Sequence, residues 1–182
     1  MSVFQTKLAQ GKVGEGIVAT YLRGRGYNIL PVYEIEKDSD KGPVVYTTSG
    51  MNVAPDMLCF RAVNVDDTSD KLPVVWVEAK TKSSFSWHMN TSCWTTGIDL
   101  RHYGEYRKLA EQSPFPIWLM FLQLDGVAKD TPPGMTAPTG LFGNSLEYLA
   151  AHEHHRSEKW GRSGMVYWDH RDLKLIATEE CL

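Results

Sequence analysis

Cysteine is scarce in this chain. Its 182 residues hold three, Cys59, Cys93 and Cys181, odd in number and far apart. Neither a disulfide framework nor a CxxC zinc site is supported, and a reducing, cytoplasmic setting is expected. Long hydrophobic runs are also missing. The longest, 117–122, suits a buried strand and is too short to span a bilayer. Residues 1–7 lack the apolar centre of a signal peptide. Nor is there an excess of positive charge: 19 Lys and Arg stand against 22 Asp and Glu, for a net charge of -3. That excludes a histone-like global attraction to nucleic acid and leaves room for a local basic groove. No Walker loop, GxGxxG pattern or recognisable serine or cysteine nucleophile motif occurs. What is present is enough apolar material, 42% of the chain, to bury a core. The length suits one domain over 1–182, with a core at about 4–124 and 125–182 as an extension of it.

The pattern predicts a helix over 4–26. Apolar runs at 27–36 and 44–48 flank a turn-rich 37–43 and suggest a β-hairpin. A third run covers 53–63, and the acidic 66–70 reads as another hairpin loop before a strand over 72–80. The polar stretch 81–96, with two tryptophans and no clean period, reads as a loop. Thr96-Gly97-Ile98-Asp99 has the form of a capping box, so a helix is expected over 98–112, stopped by Pro114 and Pro116. Residues 117–124 read as a central strand covered on both faces. Residues 125–144 are rich in Gly, Pro and Thr and suggest an excursion. A helix over 145–156 and edge strands at 165–168 and 173–178 close the chain. The order implies an α/β (α+β) fold, a mixed central β-sheet flanked by helices.

Three signals carry chemistry. On the first helix Phe4, Leu8, Gly11, Glu15, Val18, Ala19 and Leu22 share a face, apolar except for Glu15 near its middle. A carboxylate there must be desolvated, shifted in pKa or paired with a cation. The glycines Gly11, Gly14 and Gly16 weaken the helix and suggest that something approaches its backbone. The second signal is Pro55-Asp56, where proline marks a strand start or an edge and sets Asp56 near a strand end. The third is Glu78-Ala79-Lys80, closing an apolar strand, with Trp76, Glu78 and Lys80 on one face. Glu78 and Lys80 would lie roughly 6.5–7 Å apart along the strand. Adjacent pairing of the two strands would put the Asp56 and Glu78 carboxylates side by side. Two such acids repel unless a proton or cation sits between them, and Mg²⁺ prefers oxygen ligands. Lys80 would then supply a compact charge to orient a water or stabilise a phosphorane.

In these residues the sequence resembles the PD-(D/E)xK nuclease superfamily, the restriction-endonuclease-like fold. The matching residues are Glu15 in Gly14-Glu15-Gly16, Pro55-Asp56 and Glu78-Ala79-Lys80, in that order, over about 4–124. The resemblance implies a mixed central sheet flanked by helices, and cleavage of nucleic acid, DNA more than RNA, with Mg²⁺ or in its place Mn²⁺. It implies Asp56, Glu78 and the Ala79 carbonyl as metal ligands and Lys80 as the residue serving the water. Glu15 would complete the metal shell, as in members resembling Holliday-junction resolvases and RecB-type exonucleases. Those members often carry Gln and Tyr on the next helix. Here it reads Asp99-Leu100-Arg101-His102-Tyr103-Gly104-Glu105-Tyr106-Arg107-Lys108, which offers Tyr103 or Tyr106 but no Gln in place. Cutting of two strands would call for a homodimer.

A local basic set could track a phosphate backbone, with Lys12, Lys82, Arg101 and Arg107, together with Tyr103, as the nucleic-acid contacts. Phe85, Trp87 and Trp94 could stack on unpaired bases, and His88 or His102 could act as acid or base. His152-Glu153-His154-His155 falls short of HExxH because position 156 is Arg156, and no cysteine is near in sequence. The alternative to an enzyme is an inactive nuclease-fold module that binds nucleic acid or a partner protein without cutting.

Overall fold

The computed structural model describes residues 3–32 (side chains from Ala9), 44–48, 50–61, 74–128, 130–161 and 163–182. The turn expected at 37–43 and the loop at 66–70 lie outside the described residues, as do the side chains of Phe4 and Leu8.

Helix α1 (Val3–Gly24) opens the chain. Strands β1 (Asn28–Pro31), β2 (Val44–Thr47), β3 (Gly50–Val53), β4 (Met57–Phe60), β5 (Val74–Lys82), β6 (Ser86–His88) and β7 (Cys93–Asp99) follow. Helix α2 (Leu100–Gln112) leads to β8 (Ile117–Gln123) and β9 (Gly140–Ser145), then α3 (Leu146–Ala151), β10 (His155–Ser157), β11 (Met165–Asp169) and β12 (Lys174–Ala177). A six-stranded sheet runs in the order β1-β4-β5-β8-β9-β12. It is mixed: β5 and β8 are parallel, and their neighbours pair antiparallel. The expected mixed central sheet flanked by helices is present.

Strand β5 is central and buried for most of its length, which its run Val74-Val75-Trp76-Val77 permits. Its alternation divides the core. Val75, Val77 and Ala79 pack with Val18 and Leu22 of α1, together with Met57, Cys59, Met120 and Leu122. On the other face Trp76 joins Tyr103, Tyr106 and Leu109 of α2, Leu146 and Leu149 of α3, and Trp94, Ile98 and Trp168. Those last three belong to a second sheet, β10-β11-β7-β6, antiparallel throughout. Of the strands after residue 125, β9 and β12 lie in the central sheet and β10 and β11 in the second.

Four expectations are corrected. Strands β1 and β2 do not form a hairpin: β1 pairs β4 and β2 pairs β3. The stretch 81–96 is not a loop. Its end of β5, with β6 and the start of β7, is sheet, held by the Trp87–Trp94 cross-strand pair with ring centroids 4.9 Å apart. Buried Thr95 and Thr96 hid this strand, because each satisfies its hydroxyl inside: Thr95 donates to the Ser86 carbonyl and Thr96 accepts from Gln123. Thr96 is therefore not the cap of α2; Asp99 is, accepting from the Arg101 amide at 3.0 Å. The helix expected over 145–156 ends at Ala151, and β10 takes His155–Ser157.

Of Gly11, Gly14 and Gly16 on α1, Gly14 alone answers to a close approach. A Cβ there would lie 1.7 Å from Thr81 Oγ1 and 2.9 Å from Thr81 Cβ, whereas Gly11 and Gly16 face open space. Gly14→Ala should therefore push α1 from β5 and cost about 1–3 kcal/mol in chemical denaturation, with Thr81→Ala partly restoring it. Gly16→Ala should be neutral or stabilising by up to about 1 kcal/mol. Equal effects at both positions would contradict this packing.

Candidate active site

The pairing of β4 with β5 ends at Met57 opposite Val77. Continued by one residue, this register sets Asp56 opposite Glu78, where directly facing Cβ atoms of antiparallel strands stand about 4.5–5.5 Å apart. Beyond that point β5 has no antiparallel partner. The Ala79 amide, left without a ladder acceptor, donates to Asp56 Oδ2 at 2.8 Å. Within a strand residue the N–H and C=O point to the same edge. The Ala79 carbonyl is thus directed to the same open edge as its amide.

Glu78 is 1% exposed. One carboxylate oxygen, Oε1, is ion-paired with Lys80 Nζ, while Oε2 is buried and has no hydrogen-bond partner. Burial alone would push the Lys80 ammonium down, but the carboxylates of Glu78 and Asp56 reverse that and hold it charged. Asp56 is pushed up to about 8, first by burial and then by the Glu78 carboxylate; Lys80 and the Ala79 amide oppose the shift, and Glu15 adds to it. The Tyr106 phenol is held well above its ordinary value by burial and by Glu78 and Asp56. His102, one turn earlier on α2, is pushed down by burial and by Lys80. Lys82 is lowered to about 8 by burial and by the adjacent Lys80. Burial thus withholds the charge of Asp56, while Glu78 is offset by Lys80. An orphaned buried carboxylate oxygen, a second acid that keeps its proton and a carbonyl on the same edge form an all-oxygen donor set. It fits a hard divalent cation held by Asp56, Glu78 and Ala79.

The other expected residues divide. Glu15 sits on α1, across the sheet from Glu78, and acts on Asp56 and Lys80 through its charge. It does not gather with Asp56 and Glu78 into a set of three ligand atoms within 4.8 Å. Lys12 is exposed on α1, and Lys82 stands beside Lys80 on the site face. Arg101 is exposed on α2 near the start of that helix. Tyr103 is corrected as a nucleic-acid contact: it is buried in the core, and its hydroxyl donates to Glu153 Oε1 at 2.5 Å. Arg107 turns the same way, with Nη1 3.4 Å from the Tyr103 hydroxyl. Tyr106 is the helix tyrosine beside the acids. His88 lies in the second sheet, stacked on His155 with centroids 4.4 Å apart, away from Asp56. Phe85 and Trp94 are buried, so of the three aromatics only Trp87 faces a cleft. That cleft, of about 1230 Å³, also presents His155, Arg156, Lys159, exposed Trp160 and Tyr167.

Sequence reading missed a second gathering of ligands. Cys93, His154 and Asp169 bring Sγ, a ring nitrogen and a carboxylate oxygen within 4.8 Å of one another, as do His88, His154 and His155. The histidine run 152–155 was a signal, but its cysteine stands 61 residues away in the chain.

No family model and no curated protein matches the sequence. Among solved structures the chain is similar to Archaeoglobus fulgidus Hjc, a Holliday junction resolvase from an archaeal hyperthermophile. The TM-score is 0.47 with 8% identity, over 89% of this chain and 90% of that one. At that score the roles of residues rest on the geometry of this chain alone. No helix among the described residues is long and apolar enough to cross a membrane.

The raised Asp56 has a pH consequence. The folded protein keeps a proton up to about pH 8 that the unfolded chain, with an ordinary value of 3.8, has released. The unfolded state therefore binds fewer protons over that window, and stability of the metal-free protein falls as pH rises through it. Asp56→Asn keeps the acceptor for Ala79 and removes the titration. In chelator at pH 8 it should melt at least about 2–4 °C above the parent, the shift expected for each 1 kcal/mol in a protein of this size, and the gap should close toward pH 4. Parallel melting profiles across that range would rule out a raised Asp56.

Proposed function

We propose that the protein is a metal-dependent nuclease that hydrolyses phosphodiester bonds of nucleic acid, DNA ahead of RNA. The observation that carries this reading is the open end of the β4–β5 ladder, where Asp56 and Glu78 face each other beside Lys80 with one Glu78 oxygen left unpartnered.

Asp56, Glu78 and the Ala79 carbonyl would hold Mg²⁺, or Mn²⁺ in its place. When bound, such a cation supplies Lewis acidity at the scissile phosphate. Asp56 must lose its proton to take part, and the Ala79 amide fixes the side chain so that Oδ1 is free to do so. The Lys80 side chain is 29% exposed while Glu78 is sealed at 1%, so Lys80 lies on the solvent side of that carboxylate. There it orients the attacking water and offsets charge on the phosphate as it becomes five-coordinate. Were a cation to take Glu78 Oε1, the Lys80 ammonium now paired with it would be available to the substrate. Glu15 adds negative charge from across the sheet and strengthens retention of a cation. Tyr106 stays protonated and His102 stays neutral beside the pocket, so neither adds charge to it. Lys82, on the same face of β5 as Lys80, is the nearest further cation to the pocket, while Lys12 is exposed on α1 across the sheet.

Purified protein should cut at least one of single-stranded, duplex, flapped or four-way DNA in Mg²⁺ or Mn²⁺ and stop on addition of chelator. Glu78→Gln and Lys80→Met should each lower the rate by about a hundredfold or more while leaving melting cooperative. Because a cation and the Asp56 proton compete, the rate at subsaturating Mg²⁺ should rise with pH, and saturating Mg²⁺ should move that rise to lower pH. Full cleavage in both variants would refute the assigned roles. Tight binding without turnover in every metal would favour the non-cutting module.

A further inference from the structure

We propose that Cys93, His154 and Asp169 form a second metal site, for a borderline cation of the Zn²⁺ class, built into the second sheet and separate from the acid pocket. Cys93 begins β7, Asp169 ends β11, and His154 leads into β10, so three segments distant in sequence converge. Pairing of Asp169 with Thr95 makes Cys93 and Asp169 diagonal neighbours on one face of the β7–β11 ladder. Cys93 Sγ and His154 Nε2 stand 3.6 Å apart. Tetrahedral zinc with a sulfur at about 2.3 Å and a nitrogen at about 2.0–2.1 Å needs an S···N edge of about 3.5 Å. That edge is therefore already the length an ion requires. The fourth corner is marked by the Thr91 hydroxyl, 3.1 Å from Cys93 Sγ and 3.0 Å from His154 Nε2. Thr91 is exposed, and its side chain can yield to a water.

The groups around the three side chains aim them. His154 Nδ1 lies 2.7 Å from His155 Nδ1. One proton must sit between those nitrogens; carried by His154, it leaves the Nε2 lone pair directed at Cys93. His155 is fixed in turn by stacking on Tyr167, with centroids 4.5 Å apart and planes 5° from parallel. The His154 amide donates to the Tyr167 carbonyl at 2.9 Å, which anchors the loop. Arg171 grips the Asp169 carboxylate through Nε and Nη2. Supported ligands of this kind are usual around bound metals. The same geometry argues against a cysteine nucleophile. Its carboxylate would have to orient the histidine through the far nitrogen, and here that nitrogen meets His155 while Asp169 stands on the cysteine side. Cys93 is also 4% exposed, closed to a substrate but not to an ion.

The test uses the full chain carrying Asp56→Asn and Glu78→Gln, so that the acid pocket takes no metal, titrated with Co²⁺. One equivalent should produce a near-ultraviolet thiolate-to-cobalt charge-transfer band, and Zn²⁺ should displace it. Cys93→Ser, close in size, should abolish the band, and His154→Ala should weaken Co²⁺ binding at least tenfold. No band in the parent, or a band surviving Cys93→Ser and so arising from Cys59 or Cys181, would overturn the site. If Cys93→Ser does not fold, protection of Cys93 from alkylation by Zn²⁺ in mild denaturant reads the same ligand. An alkylation rate unchanged by Zn²⁺ would overturn the site as well. Failure here leaves the nuclease reading untouched, because that pocket has been removed from the experiment.

Discussion

A strand that stops one residue early governs this structure. With β4 ended at Met57, β5 runs on without an antiparallel partner, and the Ala79 amide must find an acceptor or stay unsatisfied. Asp56 supplies it, at 2.8 Å. That hydrogen bond fixes a carboxylate at the edge of the sheet and draws it against the buried Glu78. Two acids in a site of low dielectric cannot both ionise freely. Lys80 offsets one charge, while burial first and the Glu78 carboxylate second leave Asp56 holding its proton up to about pH 8. An acid kept from ionising beside a buried carboxylate is an imbalance that a divalent cation would relieve.

The rest of the fold supports that imbalance from two sides. Below, α1 comes close enough at Gly14 to touch Thr81, which brings Glu15 within electrostatic reach of Asp56 and Lys80. Above, α2 covers β5 with Tyr106 and His102, whose neutral forms exclude water without adding charge. The second sheet stiffens α2 in turn, since Tyr103 packs on Trp168 and donates to Glu153. Neighbouring turns of one helix thus line the acids and tie the helix to the second sheet.

The second sheet carries polar chemistry of its own. Cys93, His154 and Asp169 are placed by the same ladders that bury Trp94 and Trp168. Their softer donor set contrasts with the all-oxygen pocket on β5. Sulfur and imidazole suit zinc, whereas carboxylate and carbonyl suit magnesium. The two gatherings would therefore select different ions from one solution.

Several features were legible in the residues themselves. The run before Glu78-Ala79-Lys80 and the run at 117–122 declare buried strands by their continuous apolar character. Alternation alone put Trp76, Glu78 and Lys80 on one face, because a strand has a period of two whatever surrounds it. Strand partners were another matter. Whether β1 joined β2 or β4, and whether Thr95 and Thr96 were loop or buried strand, depended on acceptors supplied from elsewhere in the chain. So did the choice between Tyr103 and Tyr106, which share one core cluster but bring their hydroxyls to Glu153 and to the acids respectively. Cys93 and His154 share no local pattern at all. Local periodicity is written residue by residue, while convergence of distant side chains exists only after sheet register has been set.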